Sequence, residues 1–272
     1  MSKENKTKSE HPRAVSLAIR EKIIEHHDLL VVATAGLIAH GRGEAFDYLL
    51  GEKTVEPAKM AVKAAAASLL LAEYPVISVN GNAAALVAKD IVNLAEETGA
   101  KIEVNLYHRY PGRESAIKTV LEKAGAKKVL GIGKAASARI PEIGSERRRV
   151  DPRGILKADL VLVPLEDGDR TEALLKMGKT VVAIDLNPLS RTAQWSSITI
   201  VDNIIRALPN LVEEARKLKL LSDEKLGEIV KSFDNRKNLS SEIHLIKKRL
   251  SELSEKGVYI PEVVEIYDHL EK

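Results

Sequence analysis

Between Gly36 and Glu52 the chain crowds His40, Arg42, Glu44 and Asp47 into one short block. Glycines at 41 and 43 flank Arg42, and small neighbours let an arginine approach an anionic ligand without crowding. The block reads as a loop, and a purely structural loop rarely needs so many ionisable groups. A second concentration runs from Leu106 to Arg113, with His108, Arg109, Arg113, Tyr107 and Tyr110. So many donors suit an anion. Asn80-Gly81-Asn82, followed by three alanines, is either an anion cradle at a helix start or an ordinary capped turn. Gly131-Ile132-Gly133-Lys134-Ala135-Ala136 has the glycines of a dinucleotide loop, but Pro141 and Gly144 interrupt the helix such a site needs. With Arg147-Arg148-Arg149 it reads as a flexible phosphate loop or as a solvated basic loop. Glu166-Asp167-Gly168-Asp169 would suit Mg²⁺ beside a nucleotide, although a helix N-terminus favours the same acids and is the stronger reading. Asp185 stands where an acid grips ribose hydroxyls, with Asn187, Arg191 and Thr192 just beyond. Arg191 is placed to reach phosphate. Asn203 and Ile204 lie at another strand-to-helix junction.

These groups need elements to hold them. β-branched runs occur at Pro75–Val79, Lys101–Asn105, Lys127–Gly131, Asp159–Val163, Thr180–Ile184 and Ile198–Val201. Helical patterns alternate with them at Ala83–Glu97, Glu114–Lys123 and Arg170–Met177, each closed by a glycine. Strands apolar on both faces, alternating with helices, predict a Rossmann-like α/β fold. Its mostly parallel sheet of about six strands is covered by helices. Helices are added at both ends: one after His11-Pro12, one over 54–72, and four over 203–218, 223–232, 237–255 and 261–270. The expected organisation is a disordered tail over 1–10 and a single α/β domain over 11–272. Within it, 11–74 is a helical segment, 75–205 the sheet core and 206–272 the C-terminal helices. In such a sheet, ligands sit at the carboxyl ends of the strands, where most of the residues above fall.

Composition narrows the chemistry. Among 272 residues there is no cysteine, so disulfides, thiolate nucleophiles and cysteine-held zinc are excluded. Two Phe, six Tyr and one Trp are too few for base stacking along single-stranded nucleic acid. A net charge of +3 is too small for a general polyanion binder. No apolar run approaches the roughly 20 residues that span a membrane, and MSKENKTKSE has no signal-peptide core. A soluble cytoplasmic protein with no nucleic-acid or membrane partner is expected. Abundant Lys and Glu without Cys suits a thermophile. The sequence lacks GxxxxGK[ST], HExxH and GxSxG, which disfavours P-loop kinases, zincins and α/β-hydrolases.

Four blocks together resemble the archaeal phosphopantothenate synthetases, the 4-phosphopantoate–β-alanine ligases of coenzyme A biosynthesis. They are His11-Pro12-Arg13 with Ser16-Leu17 and Arg20-Glu21, His40 to Leu49, Pro75 to Asn82, and Asp185 to Ala193. The resemblance covers nearly the whole chain from about residue 11. It implies a homodimer that uses ATP and Mg²⁺ and releases AMP and pyrophosphate, through an acyl-adenylate. It places nucleotide contacts on Arg20, Arg42, Asp185, Leu186, Asn187, Arg191, Thr192, Asn203 and Ile204. Spacing independently singles out Asp185, Asn187, Arg191 and Asn203. Asn80, Gly81, Asn82, His108, Arg109 and Lys134 are the candidates for the substrate phosphate, and His40 or Glu44 for the amine proton. With so few aromatics, adenine is expected against aliphatic side chains near Leu186 and Ile204. The competing readings are a nucleotide-dependent small-molecule kinase, a nicotinamide oxidoreductase at Gly131–Ala136, and a non-catalytic nucleotide-binding scaffold.

Overall fold

A computed structural model describes residues 14–256. The expected tail over 1–10, His11-Pro12-Arg13 and the helix expected over 261–270 lie outside the described residues. Three helices come first: α1 (Ala14–Asp28), α2 (Thr34–Leu50) and α3 (Glu56–Leu71). Then follow β1 (Pro75–Val79), α4 (Gly81–Thr98), β2 (Lys101–Val104), α5 (Arg113–Lys123) and β3 (Val129–Leu130). A long connection carries the short pair β4 (Ala138–Arg139) and β5 (Arg149–Val150). The chain continues through β6 (Leu160–Pro164), α6 (Gly168–Lys176), β7 (Thr180–Ile184), α7 (Arg191–Trp195) and β8 (Ile198–Ile200). It ends in α8 (Ile204–Leu218), α9 (Asp223–Ser232) and α10 (Asn235–Lys256).

The main sheet has the order β3-β2-β1-β6-β7-β8 and every pairing in it is parallel. Period-2 alternation sends its side chains into two cores. Ile77, Val79, Leu160, Leu162, Val182 and Ile184 face a large core beneath α3, α4, α5 and α8. Val76, Val161, Val163, Val181 and Ala183 face a smaller one. Both faces are therefore buried, which is why these strands read as continuous apolar runs. Ala61 and Ala64 to Ala67 are at most 1% exposed and let α3 lie close against α8. The apolar stripe of α8, Ala207, Leu208, Leu211, Val212 and Ala215, completes that layer.

The smaller core shows where the structure departs from a plain helix-covered sheet. Between β3 and β6 no α-helix crosses over. Residues 131–159 instead form two 3₁₀ turns and the β4–β5 hairpin, and Ile140, Ile143, Val150 and Ile155 pack down beside α6. Buried Glu103 on β2 anchors this segment by accepting from the backbone N–H groups of Asp151 and Ile155. Burial pushes the Glu103 carboxyl up to about 7, against the pull of those two hydrogen bonds.

The block from Gly36 to Glu52 is not a loop. It is helix α2 through Leu50, followed by a left-handed Gly51 at φ +87°. Glycines cost a helix interior about 1 kcal/mol each relative to Ala, and packing supplies the reason for Gly36. A Cβ on Gly36 would collide with the Asn82 side chain, whereas one on Gly43 would make only an ordinary contact with Leu186 Cδ1 at 3.5 Å. α2 is thus pressed against the strand ends, with its small residues at the contact.

Candidate active site

The sheet order reverses direction between β1 and β6. From β1 the chain winds outward through β2 and β3, and from β6 it winds the other way through β7 and β8. Such a switch point opens a crevice at the carboxyl ends of the strands. A cleft of about 690 Å³ lies there. Its walls come from the ends of β1 (Asn80 to Asn82), β2 (Leu106 to His108), β6 (Leu165 to Asp169) and β7 (Asp185 to Asn187). The start of α7 and one face of α2 complete it. That face presents Gly36, Ala39, Arg42, Gly43 and Phe46 at helical spacing.

Asn80 builds the centre of the crevice. Its side chain accepts from Ala83 N–H at 3.0 Å, capping α4, and donates to the carbonyls of Pro164 at 2.8 Å and Leu165 at 3.1 Å. One amide thereby fastens β1 to β6 where Leu165 turns left-handed at φ +53°. Asn82 donates to Gly36 O at 2.8 Å and so ties α2 to the start of α4. Gly81 lies between them, where a Cβ would clash with Val31 O and come 2.8 Å from Arg113 Nη2. Asn80 thus takes the amides of Ala83 and Ala84, through its side chain and its carbonyl, and leaves those of Gly81 and Asn82 at the positive end of the helix dipole.

On the β7 side, Asp185 accepts from Asn187 N–H at 2.9 Å and from Ser190 Oγ. Burial raises its pKa, while Ser190, Asn187 and the nearby Arg42 charge oppose the rise. Arg42 itself has no ion-pair partner among the described residues. Arg191 opens α7 and pairs with Asp169 at 2.6 Å and Glu172 at 3.4 Å, yet stays 62% exposed. Thr192 is buried and donates to Glu166 O at 2.8 Å.

Buried arginines line or underlie the other side. Arg147 pairs with Glu166 at 2.9 Å and Asp167 at 2.8 Å and donates to Asn105 O at 3.1 Å. Arg170, fully buried, also pairs with Glu166 and reaches Ser78 Oγ at 3.1 Å. Arg113 donates to the carbonyls of Val31 and His108. At the mouth, the rings of His108 and Tyr110 stack at 5.9 Å. Among the described residues no three His, Cys, Asp or Glu side chains converge to cage a metal ion. Mg²⁺ needs no such cage, since one or two carboxylates plus substrate phosphates hold it. Asp167 and Asp169 on the cleft wall fit that limited role.

Residues 57–249 match the phosphopantothenate/pantothenate synthetase family. The chain belongs to this family. It is 56% identical over 250 residues to the 4-phosphopantoate–β-alanine ligase of Thermococcus kodakarensis, covering 92% of this chain and 95% of that protein. To the same-named protein of Methanosarcina mazei it is 49% identical, covering 92% and 98%. To that of Methanospirillum hungatei it is 45% identical, covering 88% and 96%.

In this synthetase the crevice gathers Arg42, Asp185, Leu186, Asn187, Arg191 and Thr192 with Asn80, Gly81, Asn82 and His108. Other sequence candidates stand outside its lining. Arg109 is buried in an ion pair with Glu114 and donates to Arg149 O at 3.1 Å. Lys134 lies in the 3₁₀ turn Gly133–Ala135, which has no α-helix behind it to serve a dinucleotide. His40 and Glu44 are on a different face of α2, where Glu44 holds Arg20 of α1 at 2.8 Å and accepts from Ser16 and Tyr48. Burial opposes ionisation of Glu44, but those hydrogen bonds bring its pKa below the ordinary value. Burial lowers the pKa of His40, keeping it neutral near pH 7. Asn203 caps α8 and donates to Asp47 Oδ2 at 2.7 Å, and Ile204 is 2% exposed in the large core. Leu186 packs in a separate small cluster with Phe46, so Leu186 and Ile204 do not share one surface. Arg147 is the functional candidate that sequence reasoning placed in a loop without selecting. Its only signal is the basic run, and that run does not say which of three arginines turns inward.

Proposed function

We propose that this chain is an ATP-dependent ligase that joins 4-phosphopantoate and β-alanine into 4'-phosphopantothenate, releasing AMP and pyrophosphate. The observation that carries the reading is a switch-point crevice lined by Arg42, Asp185 and Arg191, in a chain 56% identical to a 4-phosphopantoate–β-alanine ligase over 92% of its length. A carboxylate is a poor acyl donor, because its leaving group would be oxide. Attack of that carboxylate on the α-phosphorus of ATP expels pyrophosphate and gives an acyl-adenylate. The neutral amine of β-alanine then attacks the acyl carbon, AMP leaves with the former carboxylate oxygen, and the ammonium proton is lost.

In this reading Asp185 takes the ribose hydroxyls, Leu186 and Phe46 flank the base, and Arg42 and Arg191 neutralise phosphates as charge develops. Asp167 and Asp169, now paired with Arg147 and Arg191, would hold Mg²⁺, which would supply further neutralisation of the polyphosphate. Glu44, ionised and bound to Arg20, is the weaker candidate for the amine proton, and neutral His40 the better one. Arg20, His40, Asn203 and Ile204 do not line the crevice of one chain. Their direct part in the reaction therefore requires movement of α1 and α2, or the second subunit of the proposed homodimer. The exposed apolar side chains Val15, Ile24 and Ile38 on α1 and α2 support such a dimer. No helix of the described residues is long and apolar enough to cross a membrane.

The test is to incubate the protein with ATP, Mg²⁺, 4-phosphopantoate and β-alanine and to follow AMP. AMP and 4'-phosphopantothenate should appear together and should require both acid and amine. ADP formation, or AMP that ignores either substrate, rejects the ligase.

A further inference from the structure

The crevice lies at the carboxyl ends of the strands, and a second cavity, of about 260 Å³, lies at their opposite ends. Tyr74 precedes β1, Lys101 opens β2, and Lys127 and Lys128 precede β3. From Lys101 here to Leu106 on the crevice wall the chain runs roughly 16 Å, at about 3.3 Å per residue, so the two hollows are separate. The floor of the second is apolar, made by Val92 and Ala95 of α4, Ile102 of β2, and Ala126 and Leu130. Its rim is cationic. Lys101, Lys127, Lys128 and Arg153 line it, with Glu96 the acid among its lining residues. Arg153 pairs with buried Asp151 at 2.9 Å. The three lysines have no ion-pair partner among the described residues.

Tyr74 forms one wall. Its hydroxyl donates to Arg153 O at 2.7 Å, which holds the ring in place. Lys157 Nζ and Lys101 Nζ lie 4.6 Å and 5.9 Å from the ring centroid. The ring attracts both cations but carries no countercharge. Helix carboxyl ends also attract cations, and α4 and α5 both finish just before residues of this cavity. Each end carries about −0.5 charge, so with Glu96 they offset about two of the three lining lysines. About one positive charge is left over, and Lys157 adds to it. Gathered cations repel one another, and apolar floor exposed to water is unfavourable. An anion with an apolar body relieves both. Lysine ammonium groups are point charges without the planar fork of arginine, so they select negative charge and not the geometry of phosphate.

We infer that this cavity is a second ligand site, for a small organic anion with an apolar body, separate from the crevice. The inference stands whether or not the crevice is that of a ligase.

The probe is 1-naphthalenesulfonate, titrated calorimetrically into the full chain. It should bind once per chain, and added salt should weaken it. A Kd above about 1 mM overturns the site. So does equal affinity for 1-naphthalenemethanol, which has the same body and no charge. Lys101→Glu with Lys128→Glu reverses two exposed charges and should weaken the probe at least about 10-fold, while the rate of AMP formation stays unchanged. Ala95→Trp fills the hollow, keeps the lysines, and should also abolish binding. Retention of the probe by either of these proteins overturns the inference. Arg42→Ala, altered only in the crevice, should bind the probe as the native protein does. Loss of binding there would place the probe in the crevice and overturn the second site.

Discussion

Glu242 on α10 is a poorly placed charge among the described residues. It is fully buried, neither carboxylate oxygen has a hydrogen-bond partner among the described residues, and the nearby charge is the like-signed Asp202. Burial, followed by Asp202, pushes its pKa from the ordinary 4.5 to about 8. The folded protein therefore keeps this proton up to about pH 8, whereas the unfolded chain loses it near 4.5. Between those values the unfolded state binds fewer protons, so native stability falls as pH rises. At about 1.4 kcal/mol per pH unit, the cost is about 3 kcal/mol at pH 7 and levels near about 5 kcal/mol above pH 8. Glu242→Gln keeps the shape and removes the ionisation. Denaturant unfolding at pH 4, 5.5, 7 and 8.5 measures the difference between the two proteins. The variant should match the native protein at pH 4 and exceed it progressively above, by about 3 kcal/mol at pH 7. Glu103, which titrates in the same window, is common to both and cancels. Parallel stability profiles would refute the reasoning. The stake is functional, because α10 packs against α2, which carries Arg42.

Two further outcomes follow from the crevice itself. Arg42→Ala should leave stability within about 0.5 kcal/mol, since the side chain has no ion pair to lose among the described residues. It should lower kcat/KM for ATP about 100-fold, and an unchanged value would remove Arg42 from the nucleotide site. Asn80→Ala should cost about 2–4 kcal/mol, the sum of a helix cap and two carbonyls left without a donor. Asn80→Asp, which keeps the cap but sets a buried carboxylate oxygen against both carbonyls, should cost at least as much as Asn80→Ala, and a calorimetric midpoint above that of the alanine variant would contradict the double role of this amide.

The sheet is legible in the sequence because its strands are buried on both faces and bounded by glycines, as at Gly99, Gly125 and Gly178. Helix α2 is not legible. Gly36, Gly41 and Gly43 lower its propensity, no side chain caps its start, and the contacts that favour it come from Asn82 and Leu186, more than forty residues away. Reading it as a loop also merges residues that the helix separates. Arg42 turns into the crevice while His40 and Glu44 turn toward α1. On the site, the strand-end rule draws attention to Asp185, Asn187 and Arg191, which line the crevice. It also favours Arg109 and Lys134, which the fold assigns to an ion pair with Glu114 and to a turn outside the crevice. Adjacent arginines such as 109 and 113 are alike in sequence, and only the positions of Glu114 and Gly81 distinguish them.

The central claim is that the acid is activated by transfer of AMP within this crevice. It is tested most directly by an isotope. With 4-phosphopantoate labelled by ¹⁸O in its carboxylate, one labelled oxygen should appear in the phosphate of AMP for each 4'-phosphopantothenate formed, read by mass spectrometry. Product formed with unlabelled AMP, or with the label in inorganic phosphate and ADP, would contradict the acyl-adenylate and the account built on it.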